Sequence, residues 1–202
     1  MKLPDGIRKK RSFLEIKERN NWISWNPYHS KLSAYLLAKG KYWPFTKKSI
    51  VLYLGAAEGN TIRFLSNICS EGRLIGVDIS PTSMAELLLL AEEKNNIIPF
   101  LGDAHFPKHY HPHTNSPNII YQDIAQGDQL DIFIRNYDYF KPKCGFLMLK
   151  SKSIKGDDNY IIEQYNDNLK SKFDIVECIN ISKWDGEEDD ECTDPRDFDS
   201  ED

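Results

Sequence analysis

The most constraining feature of the sequence is a repeated alternation of strand-like and helix-like segments. Short apolar runs of buried-strand length recur at residues 49–54, 73–79, 96–101, 118–124, 146–150 and 173–181. Helix patterns separate most of these runs, and Ser80 followed by Pro81 is typical of a helix start. Strands that alternate with helices in this way pair in parallel, so the sequence predicts an α/β fold with a doubly wound, mostly parallel sheet.

The charge of the chain is divided between two unequal parts. Residues 185–202 contain eleven acidic residues and one Arg, a net charge of -10, which leaves residues 1–184 at +5 because the whole chain carries -5. A block of like charge with little apolar content cannot offset its ordering entropy. We therefore predict a disordered acidic tail over 185–202, which either mimics nucleic acid or only keeps the protein soluble.

Two other clusters have open interpretations. The histidines follow an HxxxHxHxH pattern with prolines inside, at His105, His109, His111 and His113. They could ligate a metal, but we favour an extended surface connection and predict no metal site. The basic residues at 8–11 could contact RNA, direct nuclear import or be only a solvated end.

The spacing of the cysteines fits neither a metal site nor a disulfide framework. They are therefore interpreted as reduced thiols: Cys69, Cys144, Cys178 and Cys192.

Polar side chains follow four of the predicted strands. Doubly wound sheets bind ligands at the carboxyl ends of their strands, where this chain has the small-residue loop GAAEGNT (55–61), then Asp78, Asp103 and Asp123. Glu58 inside the loop would repel a pyrophosphate. S-adenosylmethionine (SAM) has no phosphate and carries a positive sulfonium, so we favour SAM over a nicotinamide dinucleotide.

Six sequence blocks resemble, in order, those of the fibrillarin family. They are WNPYHSKLSAYLL (25–37), VLYLGAAEGNT (51–61), GVDIS (76–80), NIIPFLGDAHFP (96–107), IIYQDIAQGDQ (119–129) and LKSKSI (149–154). The resemblance implies a Rossmann-like, SAM-dependent methyltransferase. Such an enzyme methylates ribose 2'-hydroxyls of ribosomal RNA as the catalytic subunit of a box C/D guide ribonucleoprotein.

The resemblance also assigns site residues. The positions that correspond to SAM contacts in the family are Asn60, Thr61, Asp78, Ile79, Asp103, Ala104, Asp123 and Gln126. Those that correspond to the catalytic set are Lys31, Asp123 and Lys150. A neutral lysine could take the hydroxyl proton while Asp123 orients it. Alternatively, both lysines contact RNA phosphates and Asp123 only orders SAM.

Several departures from the family pattern leave alternatives open. Glu58 and Asn60 replace a Ser and a Thr of the usual loop, and Gly127 replaces a Pro. The late block that should contain Asp-His-Ala reads WDGEED (184–189), so the catalytic His and the final strand are expected to be missing, with Glu188 as a conceivable substitute. The alternatives are a degenerate, non-catalytic scaffold subunit of the same particle, or a protein methyltransferase that modifies a histone glutamine.

The sequence therefore predicts three regions and a set of partners. The regions are a short basic N-terminal segment (1–24), a methyltransferase domain (25–184) and the acidic tail (185–202). The resemblance implies guide RNA, an rRNA substrate, a Nop-domain scaffold protein and a kink-turn-binding protein as partners, with no membrane. The expected location is the nucleolus, or the cytoplasm if the source is archaeal. Trp22 and Trp25 could stack on bases, but we favour core packing for both.

Overall fold

A three-stranded antiparallel sheet precedes the predicted α/β unit. In the computed structural model, which describes residues 3–114, 116–150, 165 and 167–184, this N-terminal sheet contains β1 (Ile7–Lys10), β2 (Phe13–Glu18) and β3 (Asn21–Trp25), in that order. Its inner face buries Leu14 and Ile16 against the rest of the protein. The sequence pattern of this basic segment does not predict these strands.

Five parallel strands form the central sheet. They are β4 (Ile50–Leu54), β5 (Arg73–Asp78), β6 (Ile97–Leu101), β7 (Ile119–Gln122) and β8 (Cys144–Leu147), in the spatial order β6-β5-β4-β7-β8. This arrangement confirms the predicted α/β fold class. The strand order reverses between β4 and β7, so their carboxyl ends flank the crevice where such sheets bind ligands.

Helices cover both faces of the central sheet. They are α1 (Lys31–Leu37), α2 (Ile62–Ile68), α3 (Pro81–Glu93), α4 (Pro107–Thr114) and α5 (Gln129–Phe140). Successive strand residues point to opposite faces. Accordingly, Val51 of β4 shares a buried cluster with Leu32, Leu65 and Leu87 of α1, α2 and α3. Its neighbour Leu52 belongs to a second cluster, formed with α4 and α5. Each fully buried leucine contributes roughly 2 kcal/mol.

The two tryptophans of β3 have different environments. Trp25 is fully buried and stacks on Phe64 of α2, with ring centroids 5.0 Å apart. Trp22 is 36% exposed on the outer face of the N-terminal sheet. The core packing expected from the sequence is therefore correct for Trp25 and wrong for Trp22. The two side chains point to opposite faces of the sheet because they are three residues apart: Trp25 pairs with buried Leu14, and Trp22 pairs with exposed Lys17.

The expectation of a sixth strand over residues 173–181 is wrong. This segment has no strand pairing, and Glu177 instead accepts hydrogen bonds from the Tyr35 hydroxyl (2.5 Å) and the Lys41 and Tyr42 backbone N–H groups (2.9 and 3.1 Å). Burial opposes ionisation of Glu177, but these donors outweigh it and lower its pKa. The segment is thus held by the Glu177 carboxylate and by the packing of Phe173, Ile179 and Ile181 on the core, and not by strand pairing. Residues 167–172 of the helix expected at 157–172 are helical, whereas 157–164 lie outside the described residues.

The histidine-rich run also differs from expectation. The extended connection predicted there is wrong, because residues 107–114 form α4. Tyr110 anchors that helix: it is fully buried, and its hydroxyl donates to the Asn136 side chain and the Ala104 carbonyl oxygen. Among the described residues, no group of three His, Cys, Asp or Glu side chains is arranged to hold a metal. Within the same residues, no helix is long and apolar enough to cross a membrane.

Three of the four cysteines lie within the described residues. Cys69, Cys144 and Cys178 are free thiols. Cys192, Glu188 and the predicted acidic tail lie outside the described residues.

Candidate active site

Asp123 is the centre of the candidate active site. It directly follows β7, and its backbone N–H donates to the carbonyl oxygen of Leu54 at the end of β4 (2.9 Å), which places it at the reversal of strand order. Lys150 Nζ lies 2.9 Å from Asp123 Oδ1, and Lys31 Nζ lies 3.7 Å from the same atom. The structure therefore brings together all three residues of the expected catalytic set.

The three side chains are partly buried. About a quarter of each lysine side chain is exposed, and Asp123 is 14% exposed. Lys150 Nζ also donates to the Asp123 backbone carbonyl oxygen (3.4 Å). No described residue gives buried Asp123 Oδ1 a well-aligned hydrogen bond, so its contacts with the lysines are ionic. Two cations and one anion leave the cluster with one positive charge in excess.

Lys31 is positioned by the start of α1. Ser30 is the N-cap residue of this helix, and its hydroxyl is bonded to the Thr61 hydroxyl at the start of α2 (2.9 Å). Both side chains are buried. This link holds the first turns of two helices together and thereby fixes Lys31. Thr61, expected at the cofactor, has its side chain committed to this link.

Lys150 is positioned by Gln129, a residue that sequence reasoning missed. The Lys150 backbone N–H donates to Gln129 Oε1 (2.9 Å), and Gln129 Nε2 donates to the Lys150 carbonyl oxygen (3.1 Å). Gln129 is fully buried at the start of α5. These two hydrogen bonds between the Gln129 side-chain amide and the Lys150 backbone fix the backbone without constraining the lysine side chain. The only sequence signal was the presence of Gln129 in the block that also contains Asp123.

The small-residue loop after β4 packs directly on Asp123. Gly55 has a φ of +77°, and a Cβ at this position would lie 2.6 Å from the Asp123 carbonyl oxygen. A glycine is required there because both the conformation and the close approach exclude a side chain. Within the same loop, Glu58 accepts a hydrogen bond from the Ser83 hydroxyl (3.2 Å), and Asn60 is exposed.

The end of β5 presents a carboxylate beside an apolar surface. Asp78 accepts hydrogen bonds from the backbone N–H groups of Ala57 (2.8 Å) and Ser80 (2.9 Å), so it ties the loops after β4 and β5 together. The next residue, Ile79, is 58% exposed, and Leu101, the residue paired with Asp78, is 52% exposed. Both are exposed apolar side chains close to the carboxyl ends of β5 and β6.

A histidine bridge joins the ends of β6 and β7. His105 Nδ1 lies 2.6 Å from Asp103 Oδ1, and His105 Nε2 lies 2.7 Å from Asp128 Oδ2. The bonds to Asp128 and then Asp103 raise the pKa of His105. His105 in turn lowers the pKa of Asp128, and for Asp103 it outweighs the opposing effect of burial. Asp103 was expected at the site from the sequence, whereas this bridge was not.

The remaining expected cofactor residues flank that bridge. Ala104 is buried, and its carbonyl oxygen accepts hydrogen bonds from Asn136 (2.8 Å) and the Tyr110 hydroxyl (3.2 Å). Gln126 is half-buried, and its carbonyl oxygen accepts a hydrogen bond from Gln129 Nε2 (3.0 Å). Both residues thus belong to the ends of the strands around the crevice.

Comparison with known proteins identifies the family. The fibrillarin family model matches residues 9–190, which is most of the chain. The chain belongs to the fibrillarin family. This confirms the resemblance inferred from the sequence blocks.

Individual members of the fibrillarin family support the assignment. A Picrophilus torridus protein named fibrillarin-like rRNA/tRNA 2'-O-methyltransferase is 39% identical over 173 residues, covering 84% of this chain and 81% of the relative. The crystal structure of a fibrillarin/Nop5p complex matches with a TM-score of 0.81 and 29% identity, covering 91% and 94% of the two chains. Aeropyrum pernix fibrillarin, crystallised with natively bound SAM, matches with a TM-score of 0.74 and 27% identity, covering 88% and 80%.

The crevice of this fibrillarin-family chain has the chemistry that SAM requires. Asp78, Asp103 and Asp123 offer carboxylate oxygens to ribose hydroxyls, amino groups and a positive centre. Ile79 and Leu101 offer an apolar surface to a flat base. The buried Asp123 Oδ1, which has no aligned hydrogen-bond donor among the described residues, can accept one more favourable contact. The residues present therefore fit the cofactor predicted from the sequence.

Proposed function

We propose that this protein is a SAM-dependent ribose 2'-O-methyltransferase that acts on ribosomal RNA as the catalytic subunit of a box C/D guide particle. The observation that carries the proposal is the convergence of Lys31 and Lys150 on Asp123 at the reversal of strand order. This arrangement provides a group for each of the two substrates. The carboxylate can contact the cationic cofactor, and the amines can contact the ribose hydroxyl and the neighbouring phosphates.

The cofactor would be held by residues at four strand ends. When bound, SAM would supply a methyl group on a positive sulfonium, with S-adenosylhomocysteine as the leaving group. Asp78, Asp103 and Asp123 would accept hydrogen bonds from its polar groups, and Ile79 would pack on its base. The other residues assigned to this role are Asn60, Thr61, Ala104 and Gln126. Because the Thr61 side chain bonds to Ser30, we assign Thr61 to the site through its backbone.

The lysines and Asp123 act on the ribose hydroxyl. This hydroxyl is a very weak acid, so its proton must leave as the new bond forms. We assign Lys150 as the base: after giving up its own proton to solvent, its Nζ takes the proton of the hydroxyl. Asp123 Oδ1 orients this amine and stabilises the ammonium that results. Lys31 supplies a positive charge that attracts the neighbouring phosphates.

The partners and location follow from the family. The solved fibrillarin/Nop5p complex supports a Nop-domain scaffold partner for this chain. Guide RNA, the rRNA substrate and a kink-turn-binding protein are the remaining partners that we propose. The Picrophilus torridus relative is archaeal, and archaeal cells have no nucleus. This supports the cytoplasmic alternative and does not support the nucleolus.

The proposal is tested in a reconstituted guide particle. The chain is assembled with a Nop-domain scaffold, a kink-turn-binding protein and a guide RNA, and transfer of label from methyl-labelled SAM to a guided target is measured. A matched target with a 2'-deoxy sugar at the guided nucleotide is the control. We expect label in the ribose target and none in the deoxy target. If neither target is labelled, the chain is a non-catalytic subunit; if both are, the ribose hydroxyl is not the acceptor.

A further inference from the structure

The N-terminal sheet carries most of the net positive charge of residues 1–184. Residues 7–25 include six Lys or Arg side chains and two Glu side chains, a net charge of +4, against +5 for all of residues 1–184. The cations are Arg8, Lys9, Lys10, Arg11, Lys17 and Arg19, and all six are exposed. One of the two acids, Glu18, is paired with Lys94 of the α/β unit. The charge is thus concentrated on a surface that the proposed active site does not use.

The strand register divides the sheet into two chemically different faces. Leu14, Ile16 and Trp25 point inward and are buried. Because side chains alternate along a strand, Arg8, Lys10, Lys17 and Trp22 share the opposite, outer face. This outer face combines three cations with an aromatic ring.

Arg8 and Trp22 form a stacked pair on the outer face. The Arg8 guanidinium carbon lies 4.0 Å from the centroid of the Trp22 ring, and Trp22 remains 36% exposed. Arg8 Nε also contacts Glu15 Oε2 at 2.6 Å, and Lys10 Nζ lies 3.2 Å from Glu15 Oε1. The buried Glu15 therefore fixes the directions of two exposed cations, which reduces the entropy they lose on binding a ligand.

We propose that the outer face of the N-terminal sheet binds single-stranded RNA. A base stacks on the exposed plane of the Arg8–Trp22 pair, and Lys10 and Lys17 contact the flanking phosphates. Aromatic rings and guanidinium planes on a basic sheet face are the groups that recognise unpaired bases. Only five residues (26–30) separate Trp25, at the end of β3, from Lys31. RNA bound to this outer face would therefore contact β3, the strand that immediately precedes Lys31 of the proposed active site in the chain.

The inference rests on the proposed function only in that the partner is RNA, and its test needs neither the cofactor nor the guide particle. Binding of the full chain to a fluorescent oligouridine of about twelve nucleotides is followed by anisotropy at several salt concentrations. We expect Trp22→Leu to weaken binding about ten-fold and Trp22→Phe to weaken it less than three-fold, because Phe keeps an aromatic face. Lys10→Gln and Lys17→Gln should each reduce the salt slope by about 0.7.

Trp184 offers a matched control. It is a half-buried tryptophan with a nearby lysine, Lys183, whose Nζ lies 5.7 Å from the Trp184 ring centroid. Trp184→Leu should bind oligouridine like the parent protein. If Trp22→Leu binds as tightly as Trp184→Leu, the inference is overturned, and it is also overturned if Trp22→Leu changes only self-association in sedimentation. Guided methylation that persists without Trp22-dependent RNA binding would contradict this inference and leave the proposed function intact.

Discussion

Lys150 and Asp123 contact each other at two points: Lys150 Nζ lies 2.9 Å from Asp123 Oδ1 and 3.4 Å from the Asp123 carbonyl oxygen. Asp123 follows β7 and Lys150 follows β8, which are neighbouring parallel strands. Lys31 reaches the same carboxylate from the first turn of α1. The cluster therefore exists only when the sheet and the first helix are both in place, and its geometry is set by the fold itself.

Removing either of two carboxylates should weaken cofactor binding. Asp103→Ala and Asp123→Ala each delete an acceptor at the crevice, and a hydrogen bond to a charged group is worth about 1.5–3 kcal/mol. We expect at least a ten-fold loss of SAM affinity by calorimetry for each variant. Asp138→Ala is the control, since Asp138 is exposed and pairs with Lys141 on α5. Equal affinity in all three variants would refute the assignment of the site.

A pair of glycines with the same backbone conformation tests the contact between the loop and Asp123. Gly55 and Gly6 have φ values of +77° and +80°, but a Cβ would meet Asp123 only at Gly55, with nothing within 4 Å at Gly6. Gly6→Ala should cost about 1–2 kcal/mol of stability, the conformational penalty alone. Gly55→Ala should cost about 1–3 kcal/mol more because of the clash. Denaturant melts that give the same loss for both variants would show that the contact is easily relieved.

The histidine bridge should make stability depend on pH. The raised pKa of His105 means that its contribution is fully present below the ordinary value of 6.5 and is lost as the pH rises through the raised value. The lowered pKa values of Asp103 and Asp128 mean that theirs is present above 3.8 and lost as the pH falls through the lowered values.

The expected result is a pH-dependent gap in melting temperature between the parent and His105→Gln. The gap should be largest between about pH 4 and 6.5 and should shrink at alkaline pH. His113→Gln serves as the control, because His113 is exposed and has no carboxylate partner among the described residues. A gap that does not change between pH 6 and 9 would show that protonation of His105 does not stabilise the fold.

The central sheet was predictable because its signals are local. Five apolar runs became β4 to β8, and Ser80 caps α3 as expected, with its hydroxyl accepting the Ser83 N–H (3.2 Å). The run at 173–181 is also rich in apolar residues but forms no strand, and Glu177 within it accepts hydrogen bonds from residues 35–42. The composition of a segment shows that it is apolar, but it does not show which part of the fold the segment packs against.

The parts that sequence reasoning missed depend on long-range contacts. The N-terminal strands are short, and three of the four residues of β1 and three of the six of β2 are charged, so the alternation of buried and exposed residues is weak in the sequence. The carboxylates at the strand ends were predictable because parallel strands end at one edge. The roles of Gln129 and His105 were not, since each depends on side-chain geometry between residues more than twenty positions apart.

The most direct test of the account is single-turnover methyl transfer by the Lys150→Met variant in the reconstituted guide particle at saturating SAM. A base that takes a proton in the transition state contributes about 100-fold or more to the rate. We predict that Lys150→Met is at least 100-fold slower than the parent, with SAM affinity within about three-fold, while Lys143→Met, which alters an exposed lysine before β8, keeps the parent rate. If Lys150→Met methylates the guided ribose at the parent rate, Lys150 is not the base and the account is wrong.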